Sequence, residues 1–260
     1  MKPKILLTND DGINSIGIWA AYDALNTLGD ITIVAPATQQ SVVGRSISIF
    51  EPIRANQVTI NGVNAYAIAG KPTDAVIIGI CALNLTPELV VSGINIGENL
   101  SAESIMTSGT VCAALEASSL GHKSIAFSLQ VKDPGDKFEE ARYNKQNFDT
   151  AKKVVKDICQ RVLNNGFPDG VDSLNVNIPS EVKGGYEITK LAKKHFVTEV
   201  EKRLDPRGRP YFWIDGPLIE DAKEGTDIHA VRKGNISITP ITLDNTASVK
   251  KETLVNIFCR

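Results

Sequence analysis

Histidine is scarce in this 260-residue chain, and cysteine nearly so: the seven residues are His122, His195 and His229, and Cys81, Cys112, Cys159 and Cys259. The cysteines are far apart and form no CxxC pair. That excludes the usual zinc and redox motifs and leaves buried, reduced thiols as the plain reading. No histidine belongs to a recognisable metal spacing, so a zinc site or a histidine-based nucleophile relay is disfavoured, and each reads as a surface or capping residue. No GxxxxGK[ST] loop or GxGxxG fingerprint opens the first helix, and GxSxG is absent. No stretch approaches the roughly 20 apolar residues that span a bilayer. The opening run Ile5 to Leu7 is too short for a signal peptide. Positive charge is not in excess: 28 Lys and Arg stand against 30 Asp and Glu, for a formal net charge of -2. Nothing in that balance invites a nucleic acid or an anionic membrane. The expectation is a soluble, cytoplasmic protein.

What is present is ordinary in bulk. Hydrophobic residues make up 42% and charged residues 22% of the chain, enough for a well-buried core in one large domain or two small ones. The first 130 residues alternate strand-like and helix-like segments. Ile5 to Thr8 is a short apolar run that stops at Asn9, Asp10, Asp11 and Gly12. Ile18, Ala21, Tyr22, Leu25 and Leu28 then recur at helical spacing, and Ile31 to Ala35 is a second strand stopped by Pro36. Ala75 to Leu83 reads as a helix, Glu88 to Val91 as a strand and Thr110 to Ser119 as an Ala-rich helix. Lys123 to Leu129 reads as a strand, Asn147 to Leu163 as a helix and Leu174 to Ile178 as a strand. Such alternation predicts an α/β fold, a Rossmann-like, mostly parallel doubly wound sheet. Ser46–Ile49, Gln57–Ile60 and Asn64–Ile68, with Asn61-Gly62 as a turn, predict a small β-meander. The string from Asp205 to Trp213 reads as the tip and return strand of a C-terminal hairpin, and Asn235 to Ile241 as a further strand. The whole chain is read as one domain, a core over about 1–185 and an extension over about 186–260 that is not an independent domain.

Ligands of a doubly wound sheet bind beyond the carboxyl ends of its strands, so the residues after each strand are the candidates. After the first come two adjacent carboxylates, Asp10 and Asp11, in one tight turn. Their repulsion calls for a cation or hydrogen bonds, and a hard divalent ion with oxygen ligands is the economical answer; a simple helix-capping turn is the alternative. After the second comes a loop with Ser41, Gly44, Arg45 and Ser46, offering a neutral oxygen ligand and a guanidinium for phosphate, or only a polar surface loop. After the third come Asn95 and Asn99, then Ser108, Gly109 and Thr110 opening the Ala-rich helix, either an anion site or an ordinary N-cap. Together these residues suit a metal held by Asp, Ser and Asn oxygens with a phosphate between metal and helix end.

Taken in order, ILLTNDDG (5–12), APATQQSVVGRSIS (35–48), GKPTDAV (70–76), VVSGINIGENL (90–100) and SGTV (108–111) resemble the successive motifs of the SurE survival-protein family. LNVNIP (174–179), DPRGRPYFW (205–213), TDIHAV (226–231) and SITPI (237–241) continue the resemblance. It implies a metal-dependent nucleotidase acting on nucleoside 5'- or 3'-monophosphates, possible activity on polyphosphate, and a homodimer or homotetramer formed with the C-terminal hairpin. It further implies one Mg²⁺ or Mn²⁺ per subunit on Asp10, Asp11, Ser41 and Asn95. Asp10 and Asp11 would be the catalytic pair, and Asn9, Asn95, Asn99, Ser108, Gly109 and Thr110 would bind the phosphate. A covalent aspartyl-phosphate route is weaker, because its usual motif spaces the two aspartates by one residue. The rival from another class is a nucleotide-binding regulatory module without turnover. Tyr211, Phe212 and Trp213 either stack a base or pack across the hairpin or an interface.

Overall fold

The computed structural model describes residues 2–131 and 148–258. Its main sheet has nine strands in the order β3-β4-β2-β1-β5-β6-β7-β11-β8. In chain order these are β1 (Lys4–Thr8), β2 (Asp30–Pro36), β3 (Ala55–Ile60), β4 (Val63–Ile68), β5 (Leu89–Ile96), β6 (Ser124–Leu129), β7 (Ser173–Ile178), β8 (Tyr186–Ile188) and, after a separate hairpin of β9 (Glu199–Leu204) and β10 (Pro210–Asp215), β11 (Ile236–Ile241). The run from β4 to β7 is parallel throughout, whereas β3 and β11 are antiparallel to their neighbours β4 and β7. The helices are α1 (Ile16–Leu25), α2 (Pro72–Ile77), α3 (Ser101–Thr107), α4 (Gly109–Ser119), α5 (Asp149–Asn165), α6 (Asp227–Arg232) and α7 (Lys251–Phe258). Among the described residues no helix is long and apolar enough to cross a membrane.

The central strand explains the layering. A parallel strand covered on both faces must be apolar at every position, and Ile5, Leu6 and Leu7 are all buried. Ile5 and Leu7 pack with Ile18 and Leu25 of α1 and Val155 and Ile158 of α5. Leu6 packs on the other side with Val76 of α2 and Ala113 and Ala117 of α4. Each such buried aliphatic side chain contributes about 1.5–3 kcal/mol. The doubly wound sheet expected from the alternation is therefore present. Its strand order reverses between β1 and β5, since β2 lies on one side of β1 and β5 on the other. That crevice is where a ligand site belongs in this architecture.

Some local expectations change. Gln57–Ile60 and Asn64–Ile68 do form a hairpin, with Asn61 and Gly62 at φ 51° and 77°, the positive pair that a two-residue turn requires. It is no separate meander, because β4 pairs in parallel with β2. Ser46–Ile49 is loop; its Ser48 N–H and hydroxyl donate to buried Asp74 at 2.9 and 2.8 Å, in place of ladder bonds. The expected helix from Ala75 to Leu83 is α2 followed by a π-helical turn over Ile78–Ala82. The strand expected to stop near Gly93 runs on to Ile96, because a register shift between Ser92 and Asn95 lets the chain resume pairing with β6. In α5, Val154, Val155, Ile158 and Val162 are buried on one side as their spacing predicts; the expected start at Asn147 lies outside the described residues, as does Cys259.

Candidate active site

The turn after β1 is shaped by Asn9. Fully buried, it donates Nδ2 to the Gly12 carbonyl at 3.0 Å and to Ser15 Oγ at 2.8 Å, and Ser15 caps α1. The atom left over is Oδ1, buried without a partner. Asn9, expected at the phosphate, closes the turn with both of its amide hydrogen bonds.

Asp10 is buried, and α4 comes down on it. Thr110 Oγ1 donates to Asp10 Oδ1, and the Gly109 and Thr110 N–H groups also bond the Asp10 carboxylate. A Cβ on Gly109 would stand 2.7 Å from Asp10 Cβ and 2.8 Å from Oδ2; only glycine permits this approach. Ser108 accepts the Val111 N–H at 3.1 Å as the N-cap of α4. The helix end expected to hold a phosphate thus already holds an anion, the Asp10 carboxylate, as its dipole and free N–H groups favour.

Asp11 is partly exposed and more loosely held. The Ile96 N–H reaches its Oδ2 at 3.3 Å, and Gln39 also bonds its side chain. Burial raises the Asp10 carboxyl above its usual range. Burial first, and then the Asp10 charge, push Asp11 up to about 7. The groups that pull the two carboxyls back down are neutral donors: the Thr110 hydroxyl, the Gln39 side chain and backbone N–H.

The other candidates lie on the loop after β2 and in the stretch from the end of β5 to α3. The loop after β2 crosses over it, with the Gln40 N–H on the Asp10 carbonyl at 2.7 Å, and the next residue, Ser41, is exposed. The same loop is pinned to the end of α3 by Gly44 N–H on the Thr107 carbonyl at 2.9 Å. Asn95 lies at the end of β5, past the part paired with β1; its Nδ2 donates to the Gly97 carbonyl at 2.7 Å, a bond that does not use Oδ1. Asn99 follows in the loop before α3, with its Nδ2 on Ser128 Oγ at 2.8 Å. Arg45 does not join them: Nε pairs with Glu116 Oε2 at 2.7 Å and an outer nitrogen with Ser119 Oγ at 2.9 Å, both in the far half of α4. A buried glutamate draws the guanidinium away from the rim. His122 is likewise remote, bonded through Nδ1 to the Pro87 carbonyl at 2.9 Å.

Two adjacent carboxylates, one buried and one partly so, with raised proton affinity and only neutral donors around them, fit a cation with oxygen ligands. Among the described residues, no three His, Cys, Asp or Glu side chains come together as a metal cluster, so the set here is two carboxylates completed by neutral Ser and Asn oxygens. Sequence reasoning missed Gln39 and Gln40, which hold the two aspartates, and Asn175, Asn177 and Asp227, which hold Asn99 and Ser101. The alternation Asn175-Val176-Asn177 was the available signal, since two amides on one face of a buried strand need partners.

The model of the family described as survival protein SurE matches residues 5–198. A 5'-nucleotidase SurE of Methanoregula boonei is 70% identical over 260 residues, 100% of both chains. One of Methanoculleus marisnigri is 69% identical over 258 residues, 99% of this chain and 98% of its own. The crystal structure of the SurE protein from Aquifex aeolicus superposes with a TM-score of 0.82 at 37% identity, covering 98% of this chain and 99% of that one. The chain belongs to the SurE family.

Proposed function

We propose that this protein is a 5'-nucleotidase that hydrolyses nucleoside 5'-monophosphates to nucleoside and phosphate, with Asp10, Asp11, Ser41 and Asn95 holding one Mg²⁺ or Mn²⁺ ion. The observation that carries the reading is the Asp10–Asp11 pair at the strand-order reversal, with buried Asp10 against the N-terminus of α4. The relatives named 5'-nucleotidase SurE, which match over the full chain, supply the substrate class. When bound, the ion would place positive charge against the phosphate oxygens and lower the pKa of water in the site.

The chain's own part follows from how firmly each group is held. Asp10, fixed by Thr110 and the α4 N-terminus, is the rigid member and sets the geometry. Asp11, partly exposed with one long backbone hydrogen bond, is the freer carboxylate and takes the proton of the attacking water. The water oxygen bonds to phosphorus, the bond from phosphorus to the 5' oxygen breaks, and the proton taken by Asp11 is returned through solvent to the leaving 5' oxygen, so that the nucleoside departs as an alcohol. Asn99 and Asn95 supply fixed amides for the charge on the transferring group; a donor of this kind is worth roughly 10²–10³ in kcat. Self-assembly is part of the reading. It is supported by apolar side chains left exposed on the hairpin, among them Phe212, Trp213 and Ile214.

The test is phosphate release from 5'- and 3'-nucleoside monophosphates and short polyphosphate, with Mn²⁺, Mg²⁺ or EDTA. The reading expects metal-dependent release that is fastest from 5'-monophosphates. Folded protein that releases no phosphate with any metal would overturn it.

A further inference from the structure

Two motifs have no part in this chemistry, LNVNIP on β7 and TDIHAV at α6, yet each sends a polar side chain under the loop between β5 and α3. Asn177 Oδ1 accepts the Asn99 N–H at 2.8 Å, and Asn177 Nδ2 donates to the Asn99 carbonyl at 3.1 Å. Asn175 Nδ2 donates to that same carbonyl at 2.8 Å. Two residues along, Asp227 Oδ2 accepts the Ser101 N–H at 2.7 Å, while its Oδ1 accepts the N–H groups of Ala192 at 2.8 Å and Ile228 at 2.9 Å. Asn175, Asn177, Ser101 and Asp227 are all buried.

These are unusual choices for a core. β7 lies within the sheet, where apolar residues are the default, and a buried amide is costly unless its partners are in place. Asn175 even keeps its Oδ1 buried without a partner. Ser101 has φ 78°, a left-handed conformation that a residue with a side chain resists. Asp227 meets the N–H of that strained residue, and the two amides of β7 meet both backbone polar groups of Asn99. The convergence is on one short stretch, Asn99 to Ser101, from elements 76 to 126 residues away in sequence.

We propose that Asn175, Asn177 and Asp227 are positioning residues that fix Asn99–Ser101 so that the Asn99 amide meets the substrate phosphate. The proposal rests on the reading of Asn99 as a phosphate contact. Polar networks of this kind specify one geometry when satisfied and lose it when one member is removed. A displacement of about 1 Å at a reacting group costs about 10²-fold in rate.

The experiment compares Asn177→Leu, Asp227→Asn and the milder Asn175→Ala with wild type. Ile158→Ala on α5, a buried core position in a different hydrophobic cluster from the loop's Leu100, serves as a control for lost stability. Five quantities are read: kcat and KM for a 5'-monophosphate, the inhibition constant of inorganic phosphate, the thermal midpoint, and hydrogen exchange at the Asn99 and Ser101 amides. Asn177→Leu and Asp227→Asn should lower kcat about 10- to 100-fold, weaken phosphate inhibition and speed exchange at those two amides, whereas Ile158→Ala lowers the midpoint with kcat unchanged. Asn175→Ala, which removes one bond, should show the same pattern more weakly and covers the case in which Asn177→Leu does not fold. Folded variants with kcat and phosphate inhibition at wild-type values would overturn the proposal, as would losses no larger than those of Ile158→Ala. A wild-type protein without turnover counts against the function instead; exchange at Asn99 and Ser101 then still judges the cradle, and unchanged exchange in the variants overturns it.

Discussion

Replacing Gly109 by alanine probes how closely α4 must approach Asp10. The new Cβ would lie 2.7 Å from Asp10 Cβ, 2.8 Å from Oδ2 and 3.1 Å from Cγ. Carbon atoms settle at about 3.5–4.0 Å, so one side must yield by about 1 Å. Asp10 is short and buried, and its Oδ1 is fixed by Thr110, so the carboxylate cannot rotate aside without losing its hydrogen bonds. Alanine itself favours a helix over glycine by about 1 kcal/mol, which offsets part of the contact strain. The fold should therefore survive with a stability change within about 2 kcal/mol, while the carboxylate is displaced. A 1 Å displacement costs about 10²-fold, or about 2.7 kcal/mol in the barrier. The assay is kcat/KM for a 5'-monophosphate with saturating Mn²⁺, beside a thermal melt of the same sample. A folded Gly109→Ala protein with wild-type kcat/KM would refute the claim that α4 sets the position of Asp10.

Other outcomes follow from the same contacts. In EDTA, Asp11 holds its proton up to about 7 in the folded state, against 3.8 when unfolded. The folded state therefore binds the extra proton between these values, so the contribution of Asp11 to the stability of the metal-free protein is full below about 4 and falls as pH rises through 7. Melts at pH 4 to 7 should show a steeper loss, or smaller gain, of stability with rising pH for wild type than for Asp11→Asn, and added Mn²⁺ should stabilise wild type at pH 7.5; identical profiles for the two proteins in EDTA contradict the electrostatics. Asp74→Ala removes the acceptor for the Ser48 N–H, the Ser48 hydroxyl and the Lys71 N–H. It should cost about 2–3 kcal/mol and expose the loop around Ser48 to protease, and an unchanged urea midpoint would count against it. Self-assembly through the hairpin predicts that Ile214→Glu, on a residue 78% exposed, shifts light-scattering mass toward the monomer; wild type that is already monomeric removes that part of the reading.

Much of the frame was legible because parallel strands leave plain marks. β1, β2 and β6 are short, mainly apolar runs closed by turn residues, and adjacent Asp10 and Asp11 after the first run announce a charge problem that the fold must solve. What stayed hidden depends on contacts between residues far apart in the chain. The pairing of Arg45 with Glu116 spans 71 residues, and nothing local distinguishes it from an arginine awaiting a phosphate. The N-terminus of α4 looks like an open anion site until Asp10 is seen inside it. Ser46–Ile49 alternates like a strand, but Asp74 claims Ser48. β5 passes Gly93 through a register shift that only its neighbour β6 reveals.

The most direct test of the central claim pairs two folded proteins, wild type and Asp10→Asn, in one assay of phosphate release from a 5'-monophosphate with Mn²⁺ and with EDTA. Wild type should release phosphate only with the metal, and Asp10→Asn should lose most of that activity while keeping its fold. Full activity in folded Asp10→Asn, or undiminished release in EDTA, would contradict the account.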